Sequence, residues 1–127
     1  MFPIDGNEET IGHNLEKDVR ENVRNDVFEV MNTQEIVISG PYQLRQGGLG
    51  LVVRNPILKD DQYWGMINIV VKVDDIIQNS LDDPMYEVLN ISLATSSGGV
   101  FYGTEENYLT AKFHAEISFL NETWMMN

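Results

Sequence analysis

Arg45 and Arg54 lie inside apolar stretches of the chain, and that placement sets the chemical question. An arginine on a half-buried face needs a partner, because an unpaired buried charge is costly. The partner is either an acid of the same chain or the carboxylate or carbonyl of a small ligand, which a guanidinium grips with two hydrogen bonds. Tyr42, Tyr63 and Trp64 stand close to the two arginines in the strand order and could supply apolar walls with polar tips.

Other reactive-looking groups fit simpler roles. Gln46-Gly47-Gly48-Leu49-Gly50 has the glycines of a phosphate cradle, but such loops run from a strand into a helix N-terminus. Here a valine-rich strand follows, so a hairpin is expected. The pairs Asp60-Asp61, Asp74-Asp75 and Asp82-Asp83 lack the alternating spacing of a calcium loop and read as turn residues or helix caps. His13 and His114 are far apart and have no Glu-x-x-His or His-x-x-x-His companion. No Gly-x-Ser-x-Gly elbow is present. Enzyme chemistry, a metal and a cofactor are therefore not expected.

Composition narrows the partners. Twenty acidic against eight basic residues give a net charge of −12. This argues against nucleic acid, which needs clustered Lys and Arg, and against anionic lipid. Cysteine is absent, which removes disulfides, zinc knuckles and thiol nucleophiles. No apolar run reaches the ~18–20 residues of a membrane span, and residues 1–3 start no signal peptide. A module from a longer membrane protein would share these features.

Periodicity then places the elements. Asn14 suits an N-cap, with Glu16 and Asp18 in the first turn. Leu15, Val19, Val23, Val27 and Met31, with Val30 beside them, predict one amphipathic helix of about five turns. From residue 35 the period becomes two. A strand over 35–39 should turn at Gly40-Pro41, and residues 42–45 should pair with 49–55 across Gln46-Gly47-Gly48. Val52 and Arg54 then share one face. Within 65–73 the odd positions Ile67, Ile69, Val71 and Val73 predict the buried face. A short helix from Asp74 ends at Asp82-Asp83-Pro84. Residues 86–95 read as a strand, 100–102 as a brief return, and 109–119 as a long final strand with Leu109, Phe113 and Ile117 facing in. One helix followed by about five antiparallel strands predicts an α+β fold, a single domain over residues 1–127.

The ordered set Ile38-Ser-Gly-Pro-Tyr-x-Leu-x-Gln-Gly-Gly-x-Gly-Leu, Arg54-x-Pro-Ile, Tyr63-Trp-Gly and Val73-Asp-x-Ile-Ile resembles the CHASE family of extracytoplasmic sensory domains. The lead-in Phe2-Pro-x-x-Gly-Asn-Glu-x-x-Ile-Gly-x-Asn-Leu and a closing strand ending in Trp124 extend the resemblance over nearly the whole chain. It implies a PAS-like antiparallel five-stranded sheet flanked by helices, with a small-molecule pocket, in a membrane-anchored histidine kinase or diguanylate cyclase type receptor. It also implies a long signalling helix and a membrane-proximal lobe, neither of which this chain contains, and a possible homodimer in the full-length receptor. In the related cytokinin receptors Leu44 and Arg54 fall near pocket-lining positions. Those receptors have a small hydroxyl residue where Arg54 stands, so cytokinin itself is not implied. The expected ligand site is thus Tyr42, Leu44, Arg45, Arg54, Tyr63 and Trp64. The alternative is a ligand-free structural spacer between membrane helices.

Overall fold

Val23, Val27 and Val30 recur at helical spacing, and a computed structural model, which describes residues 5, 8, 11–44, 47–82 and 84–127, buries all three in helix α1 (Glu21–Thr33). The helix is shorter than the apolar stripe predicts. Asn14 does accept a hydrogen bond from the Glu16 amide, but it caps only a single 3-10 turn, Leu15–Lys17. At Asp18 and Arg20 the backbone is extended, so Val19 leaves the stripe and is exposed. α1 ends at Gln34, whose left-handed backbone donates its amide to the Val30 carbonyl.

The chain forms two compact units, Met1–Val73 and Asp74–Asn127. In the first, β1 (Val37–Gln43), β2 (Leu49–Lys59) and β3 (Gln62–Lys72) form an antiparallel sheet in that order. The expected turn at Gly40-Pro41 is instead an irregularity within β1. Ser39 pairs with Val52 and Tyr42 with Gly50, so β1 carries one extra residue, as in a β-bulge. β2 and β3 join through Asp60-Asp61, both with positive φ. That is the backbone of a tight hairpin, which aspartate tolerates better than most residues.

Register decides which face of this sheet is inside. Arg54 pairs with Asn68 and with Val37, placing them on the face that carries Val52. Val23 of α1 packs there against Tyr42, Leu44 and Val52, with Leu15 and Val70 beside them. The even positions of β3 therefore face the helix. Ile67 and Ile69, on the odd positions, are 53% and 56% exposed, the reverse of the predicted orientation. Apolar residues on both faces of β3 left the alternation ambiguous, and pairing with Arg54 resolves it.

In the second unit α2 (Val73–Ser80) begins at the boundary, and a 3-10 turn, Pro84–Val88, follows. β4 (Leu93–Thr95), β5 (Val100–Tyr102), β6 (Ala115–Phe119) and β7 (Glu122–Met126) form an antiparallel sheet in the order β5-β4-β7-β6. The α+β class and antiparallel strands agree with the sequence reading. The strands, however, divide into sheets of three and four where one five-stranded sheet is expected, because β4 pairs with β5 and β7. The predicted strand over 86–95 is helical at its start. The predicted strand over 109–119 is interrupted by α3 (Glu105–Thr110). Thr104 caps α3 by accepting from the Asn107 amide, and Glu105 and Glu106 sit in its first turn. Leu109 and Phe113 are consequently exposed.

The core of this sheet is aromatic. Buried Trp124 meets Phe101 and Phe119 edge-on, with ring centroids 4.7 and 4.9 Å away. Next to α3, Gly103 has φ +76°, and a Cβ there would lie 2.5 Å from the Ile91 carbonyl oxygen and from the Ser92 hydroxyl. Gly103→Ala should lower stability by about 2 kcal/mol through this clash and the left-handed backbone, read from the chemical-denaturation midpoint.

Candidate functional site

Arg54 is 2% exposed, and its guanidinium meets three acceptors. Nε donates to Ser39 Oγ at 3.1 Å, one terminal nitrogen donates to Asn68 Oδ1 at 3.0 Å, and the other to the Tyr42 hydroxyl. Ser39 in turn donates to the carboxylate of Asp26 on α1, which feels the Arg54 charge. Burial pushes the Asp26 carboxyl up from its ordinary range, while Ser39 and Arg54 oppose that shift. Burial likewise raises the Tyr42 phenol, with Arg54 acting against it. The charge of Arg54 is thus answered within the first unit, by polar groups and by an internal acid reached through Ser39.

A second polar node anchors the start of α1. The Asp18 side chain is fully buried and accepts from Arg20 Nε at 3.0 Å, from a terminal Arg20 nitrogen at 2.8 Å and from the Arg20 amide at 2.9 Å. His13 Nε2 lies 2.7 Å from the same carboxylate. Arg20 continues to the Gln43 carbonyl at 2.6 Å and lies over the Tyr42 ring, ties that bind the helix start to β1. Hydrogen bonding from the Arg20 side chain holds the Asp18 carboxyl well below the usual carboxylate range, against the opposing effect of burial.

Of the residues expected to line a pocket, Tyr42, Leu44 and Arg54 come together beneath α1. Tyr63 is half-buried at the far end of the β2–β3 hairpin, where burial and the charge of Glu16 raise its phenol. Trp64 is 69% exposed. Arg45 lies outside the described residues. Asp26, Ser39 and Asn68 escaped the sequence reading. Asp26, an acid among the valines of α1, and Asn68, a polar residue in an apolar strand, were the available signals.

The second unit contains a hollow of about 550 Å³, which the sequence reading also missed. Leu81, Leu89, Ile91, Phe113 and Met126 give it a mainly apolar wall. Ala115 and Met126 are direct cross-strand neighbours, so this part of the wall is one face of the β6–β7 pair. Polar groups enter from Tyr86, Asn90, Lys112, His114 and Asn127. The Asn127 amide nitrogen donates to the Tyr108 carbonyl at 2.8 Å, while its buried Oδ1 has no hydrogen-bond donor. A volume within ~300–1,000 Å³, apolar walls and a few polar groups are the usual make-up of a small-molecule site. Among the described residues, no group of three or more His, Cys, Asp or Glu could hold a metal ion, and no helix is long and apolar enough to cross a membrane.

No protein-family model matches the chain, and no curated protein matches it. Among solved structures it is similar to an extracellular ligand binding receptor from Desulfohalobium retbaense, with a TM-score of 0.66 and 12% sequence identity. The likeness covers 98% of this chain and 26% of that one, so the chain spans about a quarter of that protein's length. At this identity the likeness is one of fold.

Two substitutions test the polar nodes. Arg54→Met should cost about 2–4 kcal/mol, because it strands Ser39, Tyr42 and Asn68 without their common donor and takes from Asp26 the charge that faces it. Equilibrium denaturation measures this. Asp18→Asn should cost about 2 kcal/mol at neutral pH. Because folding lowers the Asp18 pKa below the ordinary 3.8, its stabilisation is complete above pH about 4 and is lost as pH falls further. The stability gap between the chain and Asp18→Asn should therefore close on acidification, as measured by urea midpoints across that range.

Proposed function

We propose that the chain is a small-molecule-sensing module from the extracytoplasmic part of a membrane-anchored receptor of the histidine kinase or diguanylate cyclase kind. The observation that carries this reading is the apolar-walled hollow in the second unit, whose volume suits a metabolite. The fold likeness to a chain described as an extracellular ligand binding receptor supports it. The module is read as non-catalytic, because its shifted groups serve internal contacts: Asp18 holds Arg20, and Asp26 and Tyr42 belong to the Arg54 cluster. The ordered CHASE-like residues supply the receptor class. Signalling then follows from population shift, in which a ligand favours the packing that binds it better. A homodimer in the parent receptor would carry that shift across the membrane.

The rival reading, a ligand-free spacer, draws on the first unit, where the Arg54 cluster is satisfied without a ligand. A thermal-shift screen of metabolites separates the two. A ligand present at ~100 times its dissociation constant should stabilise the fold by about 2.7 kcal/mol. Ala115→Trp, which fills the hollow from a strand position, should abolish that shift and leave the unliganded melting temperature within a few degrees. Stabilisation that survives Ala115→Trp, or none from any metabolite, would favour the spacer or a site elsewhere.

A further inference from the structure

Charge is distributed unevenly around the hollow. Between Asp74 and Asn127 the chain has nine Asp and Glu but only one residue that is Lys or Arg, Lys112, and only one histidine, His114. Both line the hollow. Among the described residues its wall includes no Asp or Glu. A cation meant only for solubility would gain most beside the acids of α2 or α3. Lys112 instead stands two residues from His114 on the segment joining α3 to β6, next to Phe113 and the apolar wall. Lys112, Phe113 and His114 are themselves exposed, so the two basic groups stand where the apolar wall meets solvent and an anion reaches them without full desolvation.

We infer that the hollow selects an organic anion, namely a monocarboxylate on an aromatic or branched aliphatic body, with the carboxylate at Lys112 and His114 and the body against Leu81, Leu89, Ile91 and Met126. The inference rests on the ligand-sensing reading above and names its ligand class. The volume admits a body of two fused rings with room for a short chain. The net charge of −12 gives the chain no general affinity for anions, so selection must come from these two local groups. Charge-assisted hydrogen bonds are roughly twice as strong as neutral ones, which gives the carboxylate an advantage over a neutral isostere.

The test is calorimetric titration of the chain with indole-3-acetate, indole-3-propionate and indole-3-butyrate, each beside its primary amide. Varying the chain length lets the carboxylate reach the two basic groups whatever their depth. At least one acid should bind tenfold or more tightly than its amide. Lys112→Gln should reduce that preference about tenfold without changing the melting temperature, whereas Lys59→Gln, in the first unit, should leave it intact. Ala115→Trp should remove binding of the acids. Amides that match their acids, or a preference that survives Lys112→Gln, overturn the anion assignment while the sensing reading stands. The anion assignment is overturned in the same way if only neutral compounds from the metabolite screen bind with sensitivity to Ala115→Trp. If neither the indole series nor the screen gives binding, the sensing reading falls with it.

Discussion

A guanidinium is buried in the first unit, and the arrangement of that unit follows from the need to surround its donors with acceptors. Arg54 sits on the middle strand, so acceptors must come from both neighbours: Ser39 and Tyr42 from β1, Asn68 from β3. Asp26 reaches in from the helix through Ser39. A one-residue slip of β2 would carry Arg54 to the opposite face and bring Leu51 and Val53 under α1. Hydrophobicity alone would tolerate that slip, since both faces of β2 are apolar. The arginine forbids it. Asp18 and Arg20 complement this arrangement by fixing where α1 begins, and the buried cluster sets its rotation against the sheet.

The second unit is built on different terms. Its sheet is held by the edge-on packing of Trp124 with Phe101 and Phe119, and short strands leave room beside the β6–β7 face. Among the described residues of the first unit the buried side-chain polar groups have partners, whereas the second unit leaves Trp124 Nε1 and Asn127 Oδ1 without one and places its two basic side chains on a hollow. One unit is thus organised around a buried charge and the other around an aromatic cluster beside an open hollow. This is why the ligand-binding proposal belongs to residues after Asp74.

Local chemistry made part of this legible in the sequence. The Asp60-Asp61 turn, the helix from the Asp74 region and the shared face of Val52 and Arg54 depend on near neighbours and appear in the structure, and Asn14 is a cap, though of a 3-10 turn and not of α1. The errors arose where a longer-range contact outweighed a pattern. Leu109, Ala111 and Phe113 alternate like a strand, yet Thr104-Glu105-Glu106 starts a helix that runs to Thr110. Ile67 and Ile69 mimic an inward face, but Asn68 is the residue that Arg54 requires. The hollow was the least visible feature. Its walls come from α2, the 3-10 turn, the α3–β6 connection and β7, and no spacing within one segment records that convergence.

The two tryptophans occupy opposite environments, one in each unit. Trp64 stands in water on β3, and Trp124 is enclosed by two phenylalanine rings. The native chain therefore carries two optical reporters, a red-shifted indole on the first unit and a blue-shifted one on the second. Loss of structure in Asp74–Asn127 alone moves the emission towards longer wavelength, whereas unfolding of Met1–Val73 alone leaves it almost unchanged. Intrinsic fluorescence consequently registers the unit built around Trp124 and is nearly blind to the unit organised by Arg54.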